Sequence, residues 1–233
     1  MKTIVINVGG SLLSPSVEKL FDVDFAFKLK KFLISFEQKR FILCVGGGSI
    51  ARTYQNFFKE DSILVKDQHF IGVAASNLNA TGLRAVLGNE AEKRIIRYND
   101  YNGDLNIEFD KKVLVAAASE NEPSRSSDWN SAFLASAFNE NMVIGLTNID
   151  GVYSSDPVKN PDAKKLNTVS WSEYLNVIGN PAIHVPGAKY PVDPFAAKFC
   201  QEKSIKFYIA RGNDLENLKR VINGENFNGT IIG

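Results

Sequence analysis

The stretch VINVGGSLL, Val5–Leu13, decides how the rest of the chain is read. It begins as a nearly continuous apolar run of strand length, the pattern of a parallel strand buried on both faces. It ends in Gly9-Gly10-Ser11, a loop whose backbone N–H groups can reach a phosphate because no bulky side chain stands in the way. No lysine lies in or beside the loop. If phosphate binds there, another group must offset its charge.

Working outward, the same pattern recurs. Apolar runs at Thr3–Val8, Phe41–Val45, Val113–Ala117, Met142–Leu146 and Lys206–Ala210 predict strands. Helical segments are expected at Asp24–Gln38, Ser49–Lys59, Phe70–Leu87, Ser127–Asn139 and Pro194–Lys203. In the second of these, Ile50, Tyr54, Phe57 and Phe58 share one face. Strand alternating with helix implies crossover units and a three-layer α/β/α sandwich around a mainly parallel sheet. The irregular stretches at 88–92, 98–104, 119–127 and 154–167 are too short to be linkers, and no internal repeat is visible. One domain over 1–233 is expected.

The composition narrows the function. Of 233 residues, 44% are hydrophobic and 23% charged, an ordinary globular balance. Lys and Arg number 27 against 26 Asp and Glu, so a net charge of +1 gives no footprint for nucleic acid. No apolar run is long enough for a membrane span, and the amino terminus runs straight into a strand without a signal-peptide pattern, so a cytoplasmic location is expected. Cys44 and Cys200 lie in apolar surroundings without metal-ligand spacing and are read as buried and reduced. Small-molecule chemistry is the reading that remains.

Three further loops are candidates for it. VGGGSIAR, Val45–Arg52, places glycines after a strand and opens into a helix whose positive end faces the loop. ENEPSRSSDW, Glu120–Trp129, is a polar loop in which Arg125 precedes the natural caps Ser126, Ser127 and Asp128. TNIDGVYSSDPVKNPDAKKL, Thr147–Leu166, turns at Asp150-Gly151 and again at Asp156-Pro157. Turn geometry and capping explain each piece equally well when it is taken alone. Neither GxxxxGK[ST] nor GxGxxG occurs, which sets aside the commonest nucleotide-binding fingerprints.

Taken in order, these blocks resemble one family. TNIDGVYSSDP, the early VGGS, VGGGSIAR and VDPFAAK are similar to motifs of the amino-acid kinase superfamily, and most closely to archaeal-type uridylate (UMP) kinases. The resemblance spans Lys2 to Gly233. It implies phosphorylation of UMP by ATP with Mg²⁺, an acceptor-binding lobe over about 1–140 and an ATP-binding lobe over about 141–233. It implies that Gly10, Ser11, Gly48 and Arg52 face ATP, with Thr147, Asn148, Tyr153 and Asp156 forming the adenosine wall. Gly47, His69 and the segment Asn121, Glu122, Pro123, Ser124, Arg125, Ser126 and Ser127 would face UMP. Asp128 and Asp193 match acidic residues that organise the reacting groups, and Lys198 matches by sequence. No residue is implied as a direct metal ligand. Relatives assemble as dimers and hexamers; the Phe-rich helix holding Phe25, Phe27, Phe32, Leu33 and Phe36 has apolar positions to spare for such a contact.

The chain departs from the family where charge matters. Asn7 stands where many relatives carry lysine, His69 where the family has a nucleoside-binding carboxylate, and Asn77 where it has arginine. Mg²⁺, Arg52, Arg125 and the loop amides are therefore expected to offset the phosphate charge. Two other readings stay open: a same-fold kinase with another small phosphate or acid as acceptor, and a nucleotide-binding or storage protein without turnover.

Overall fold

The computed structural model describes residues 1–58, 64–97, 107–118, 125–157, 159–181 and 190–233. Its eight-stranded sheet is built around β1 (Lys2–Val8), which pairs in parallel with β2 (Lys39–Val45) on one side and with β5 (Met142–Thr147) on the other. Beyond β2 lie β4 (Val113–Ala116) and β3 (Ala91–Ile96); beyond β5 lie β9 (Lys206–Arg211), β10 (Gly229–Ile232) and β8 (Thr168–Val169). Only β10 against β9 runs antiparallel among these pairs. The small sheet of β6 (Val152–Tyr153) and β7 (Lys165–Leu166) closes the hairpin-like segment after β5.

The period of two along each strand divides the core into two layers. Ile4, Ile6 and Val8 of β1 join Phe41, Leu43 and Val45 of β2 on one face. There they meet helices α2 (Val23–Ile34), α4 (Val65–Leu87) and α8 (Leu215–Asn223). Val5 joins Ile42 and Cys44 on the other face, under α5 (Ser127–Ala137), α6 (Trp171–Val177) and α7 (Pro194–Lys203). The same alternation turns Asn7 toward the α5 layer. Its register neighbours there are Cys44 and Gly145.

The five predicted strands and five predicted helices all form, with shifted ends. Helix α4 starts five residues earlier than its periodicity suggests, and Gly10–Leu13 make a short helical turn, α1, rather than an open loop. Several elements escaped the sequence reading for identifiable reasons. β3 is an edge strand with Glu92, Lys93 and Arg94 in its middle, so it lacks an apolar run. α6 is short, although its capping box is complete: Ser170 Oγ accepts from the Glu173 N–H (3.2 Å), and Glu173 Oε2 accepts from the Ser170 N–H (2.9 Å).

The expected apolar face of α3 (Gly48–Phe57) is reversed. Ser49, Ala51 and Gln55 face inward, whereas Tyr54 and Phe57 are 57% and 73% exposed. Close packing explains the reversal, because a Cβ on Gly47 would lie 2.7 Å from Ala51 Cβ and 3.1 Å from the Gly72 carbonyl oxygen of α4. No aromatic side chain fits between helices that near. On α2, Phe25, Leu29 and Leu33 are buried, Phe32 packs against the core together with Phe36 just beyond the helix, and Val23, Phe27 and Ile34 remain exposed.

Candidate active site

Glycine loops meet at the carboxyl ends of β1 and β2, where open α/β sheets place their ligands. A Cβ on Gly10 would sit 2.1 Å from the Gly48 nitrogen and 2.6 Å from the Gly46 carbonyl oxygen, so the two loops touch backbone to backbone. Gly48 also has φ +68°, a conformation other residues adopt only with strain. Ser127 Oγ would be 3.3 Å from a Cβ on Gly46, which brings the start of α5 to the same place. Thr147 adjoins it, because the Gly9 N–H is engaged by the Leu146 carbonyl (2.9 Å) at the end of β5.

Part of the amide array is used by the protein itself. Ser14 accepts the Ser49 N–H at its carbonyl (2.8 Å) and the Ile50 N–H at its hydroxyl (3.4 Å), capping α3 from outside its own segment. Among the described residues, Gly10, Gly47 and Gly48 donate no loop hydrogen bond. Asn79 of α4 fixes the second loop by donating to the Gly46 (2.9 Å) and Gly47 (3.1 Å) carbonyls, while Ser76 donates to that of Val45 (2.5 Å). Ser14, Ser76 and Asn79 were not read as site residues from sequence. The available signal was small polar residues at 76 and 79, three apart on a helix face beside a glycine loop.

A carboxylate pair lies below the loops. Ser126 caps α5 by accepting the Trp129 N–H (3.1 Å), and its hydroxyl donates to Asp193 Oδ2. Asp193 caps α7, its Oδ1 accepting from the N–H groups of Phe195 (2.8 Å) and Ala196 (3.1 Å). The Asp193 N–H donates to Asp128 Oδ2 (2.8 Å), and Asn7 Nδ2 donates to Asp128 Oδ1. Burial, reinforced by the charge of Asp193, raises the Asp128 carboxyl to about 7 against the opposing pull of those two hydrogen bonds. Asn7, Ser126, Asp128 and Asp193, four residues from three distant segments, thus form one network.

Two arginines flank this region. Arg52 is half-buried on α3, and burial pulls its guanidinium below the ordinary value with no carboxylate acting on it. Among the described residues it makes no hydrogen bond or ion pair. Arg125 lies over the Trp129 ring at 3.8 Å, a stacked contact that also orients its guanidinium. Lys198 is exposed on α7.

On the β5 side, Thr147 Oγ1 bonds within its own turn, donating to the Ile149 carbonyl (2.9 Å) and accepting the Ile149 N–H (3.1 Å). Tyr153 donates to Asp150 Oδ1 (2.9 Å), and Lys165 Nζ stands 3.6 Å from Asp150 Oδ2. Asp150 and Lys165 thus organise the tyrosine's surroundings, a role the linear string does not reveal. Asn148 and Asp156 are exposed. On the α4 side, His69 is half-buried and shares the helical face of Gly72, Ser76 and Asn79, which packs on the second glycine loop. Asp67, two residues away, lies on another face and is exposed. Asn121, Glu122, Pro123 and Ser124 lie outside the described residues.

Known proteins resemble this chain in sequence and fold. The amino acid kinase family profile matches residues 2–211. A uridylate kinase of Thermococcus kodakarensis is 32% identical over 230 residues, covering 98% of each chain. One from Thermococcus gammatolerans is 33% identical over the same length and coverage. The crystal structure of the Archaeoglobus fulgidus uridylate kinase superposes with a TM-score of 0.73 at 28% identity, covering 100% of both chains. With the family profile matching most of its length and relatives aligned end to end, this chain belongs to the amino acid kinase family.

Proposed function

We propose that the protein transfers the γ-phosphoryl group of ATP to UMP, releasing ADP and UDP. A UMP phosphate oxygen forms the new bond to the γ-phosphorus as the bond to the bridging oxygen of ADP breaks. Such a reaction needs two ligands held in line and their negative charge offset, rather than covalent chemistry by the protein. The observation that carries the reading is Arg52, a half-buried guanidinium with no anionic partner among the described residues, one helical turn from touching glycine loops. End-to-end likeness to proteins named uridylate kinase supports UMP as acceptor.

In this reading, Gly10, Ser11, Gly48, Arg52, Thr147, Asn148, Tyr153 and Asp156 bind ATP. Gly47, His69, Arg125, Ser126 and Ser127 face UMP, within lobes of about 1–140 and 141–233. Mg²⁺ fits the residues present: Asn7 Oδ1 is buried without a partner beside the Asp128 and Asp193 carboxylates, an all-oxygen donor set of the hard kind this ion prefers. When bound, the ion offsets charge on the phosphates. The exposed Tyr54 and Phe57 on α3 support self-association through that face. UDP supply for pyrimidine nucleotide synthesis in the cytoplasm completes the reading.

A second reading, another small phosphate or acid as acceptor, is favoured by His69 in the carboxylate position and by the buried, unpartnered Oδ1 of Asn77. A coupled ADP-release assay with ATP and Mg²⁺ against UMP, CMP, dUMP and a panel of small phosphates and acids separates the two. Highest turnover with UMP is expected. ADP released with another acceptor but not with UMP would establish the second reading, and silence with every acceptor would reject phosphotransfer.

A further inference from the structure

We propose that Asn7 and Asp128 together form the protein's own seat for a divalent cation, with Asp193 as the outer charge, at the carboxyl end of β1. This deepens the phosphotransferase reading, since it assigns residues of this chain to an ion that the reaction requires. The seat itself is defined by geometry.

Asn7 is 5% exposed, and its Oδ1 has no hydrogen-bond partner among the described residues. An orphaned buried acceptor forfeits its hydration without a compensating bond, so its persistence calls for an explanation. Its strand neighbours supply none: Gly145 has no side chain, and the buried Cys44 offers only a weakly donating thiol. The other end of the same carboxamide touches Asp128, so the orphaned oxygen lies within the surroundings of that carboxylate. Exchanging the amide ends does not resolve the conflict. It would leave the amide nitrogen buried and unpaired in the oxygen's place.

The charges point the same way. Asp193 is buried and Asp128 half-buried, the two joined by the Asp193 N–H, yet no lysine or arginine among the described residues pairs with either. The oxygens of Asp193 are engaged by Ser126, Phe195 and Ala196. Among the described residues Asp128 accepts two hydrogen bonds, which leaves lone pairs on both its oxygens. A carboxamide oxygen and a carboxylate, backed by a second carboxylate, suit a hard divalent cation such as Mg²⁺, which binds through one or two carboxylates and keeps several waters.

The test is an electron paramagnetic resonance titration of the full, nucleotide-free protein with Mn²⁺. One bound Mn²⁺ is expected, with a dissociation constant of about 1 mM or tighter, displaced by Mg²⁺. Asn7→Leu should weaken it ~10-fold or more, and Asp128→Asn should abolish it. Asn7→Asp, which adds a charged donor, should tighten it by ~10-fold, a gain that misfolding cannot produce. Absence of bound Mn²⁺ in the native protein would overturn the proposal and leave the orphaned oxygen to an internal water. Unchanged affinity in Asn7→Asp and Asp128→Asn would overturn it equally. Because the titration reads bound metal without substrate, its failure is distinct from failure of UMP phosphorylation.

Discussion

Arg52→Ala separates a ligand-binding arginine from a structural one. In the folded protein the guanidinium is half-buried on α3, burial disfavours its charge, and no carboxylate compensates among the described residues. Removing it therefore takes away a desolvated charge without breaking an internal ion pair. Stability should stay level or rise by up to about 1 kcal/mol, which for a domain of this size shifts Tm by roughly 0 to +4 °C. Turnover should respond in the opposite direction. A preorganised charge contact to a transferring phosphoryl group contributes on the order of 10²–10³ in kcat, about 2.7–4 kcal/mol of transition-state stabilisation. The assays are a thermal melt and steady-state ADP release measured on the same preparation. Activity within about threefold of the native protein, or a loss of activity matched by a fall in Tm of more than about 5 °C, would refute the reasoning.

Gly48→Ala should destabilise the protein by about 2 kcal/mol or more, read by chemical denaturation, because the residue has φ +68° and a Cβ there would lie 2.4 Å from the Gly10 carbonyl oxygen. The Asp128 carboxyl, raised to about 7, binds its proton more tightly folded than unfolded. Its contribution to stability is therefore fully present below about pH 4 and is lost as pH rises through about 7. In chelator-treated protein, Asp128→Asn should flatten the fall in stability between pH 5 and 8, and an unchanged slope would contradict the assignment. Phe57→Glu puts a charge on the most exposed aromatic of α3 and should lower the solution mass seen by light scattering while leaving Tm within a few degrees. An unchanged mass would move the self-association surface elsewhere.

Much of the architecture is written in local patterns, and each miss has an identifiable cause. The buried strands announce themselves because parallel strands covered on both faces must be apolar along their whole length. The cap of α5 was legible among Ser126, Ser127 and Asp128, since a cap is satisfied within three residues, whereas Asp193 entered only through the family resemblance and its capping of α7 went unread. β3 escaped because an edge strand need not be apolar, and α3 misled because helical periodicity shows that a stripe exists without showing what it faces. The glycine loops were visible as loops; their mutual contact was not, because it joins positions 38 residues apart. Asn7 was noticed only as a missing lysine. Its pairing with Asp128 spans 121 residues, and only the alternation of β1 against the start of α5 brings the two together.

The most direct test of the central claim is a single-turnover reaction of the purified protein with γ-labelled ATP, Mg²⁺ and UMP, followed by separation of the nucleotides. The account predicts label in UDP, appearing as ATP is consumed and dependent on UMP. Label that stays in ATP, or that leaves only as inorganic phosphate, would contradict it.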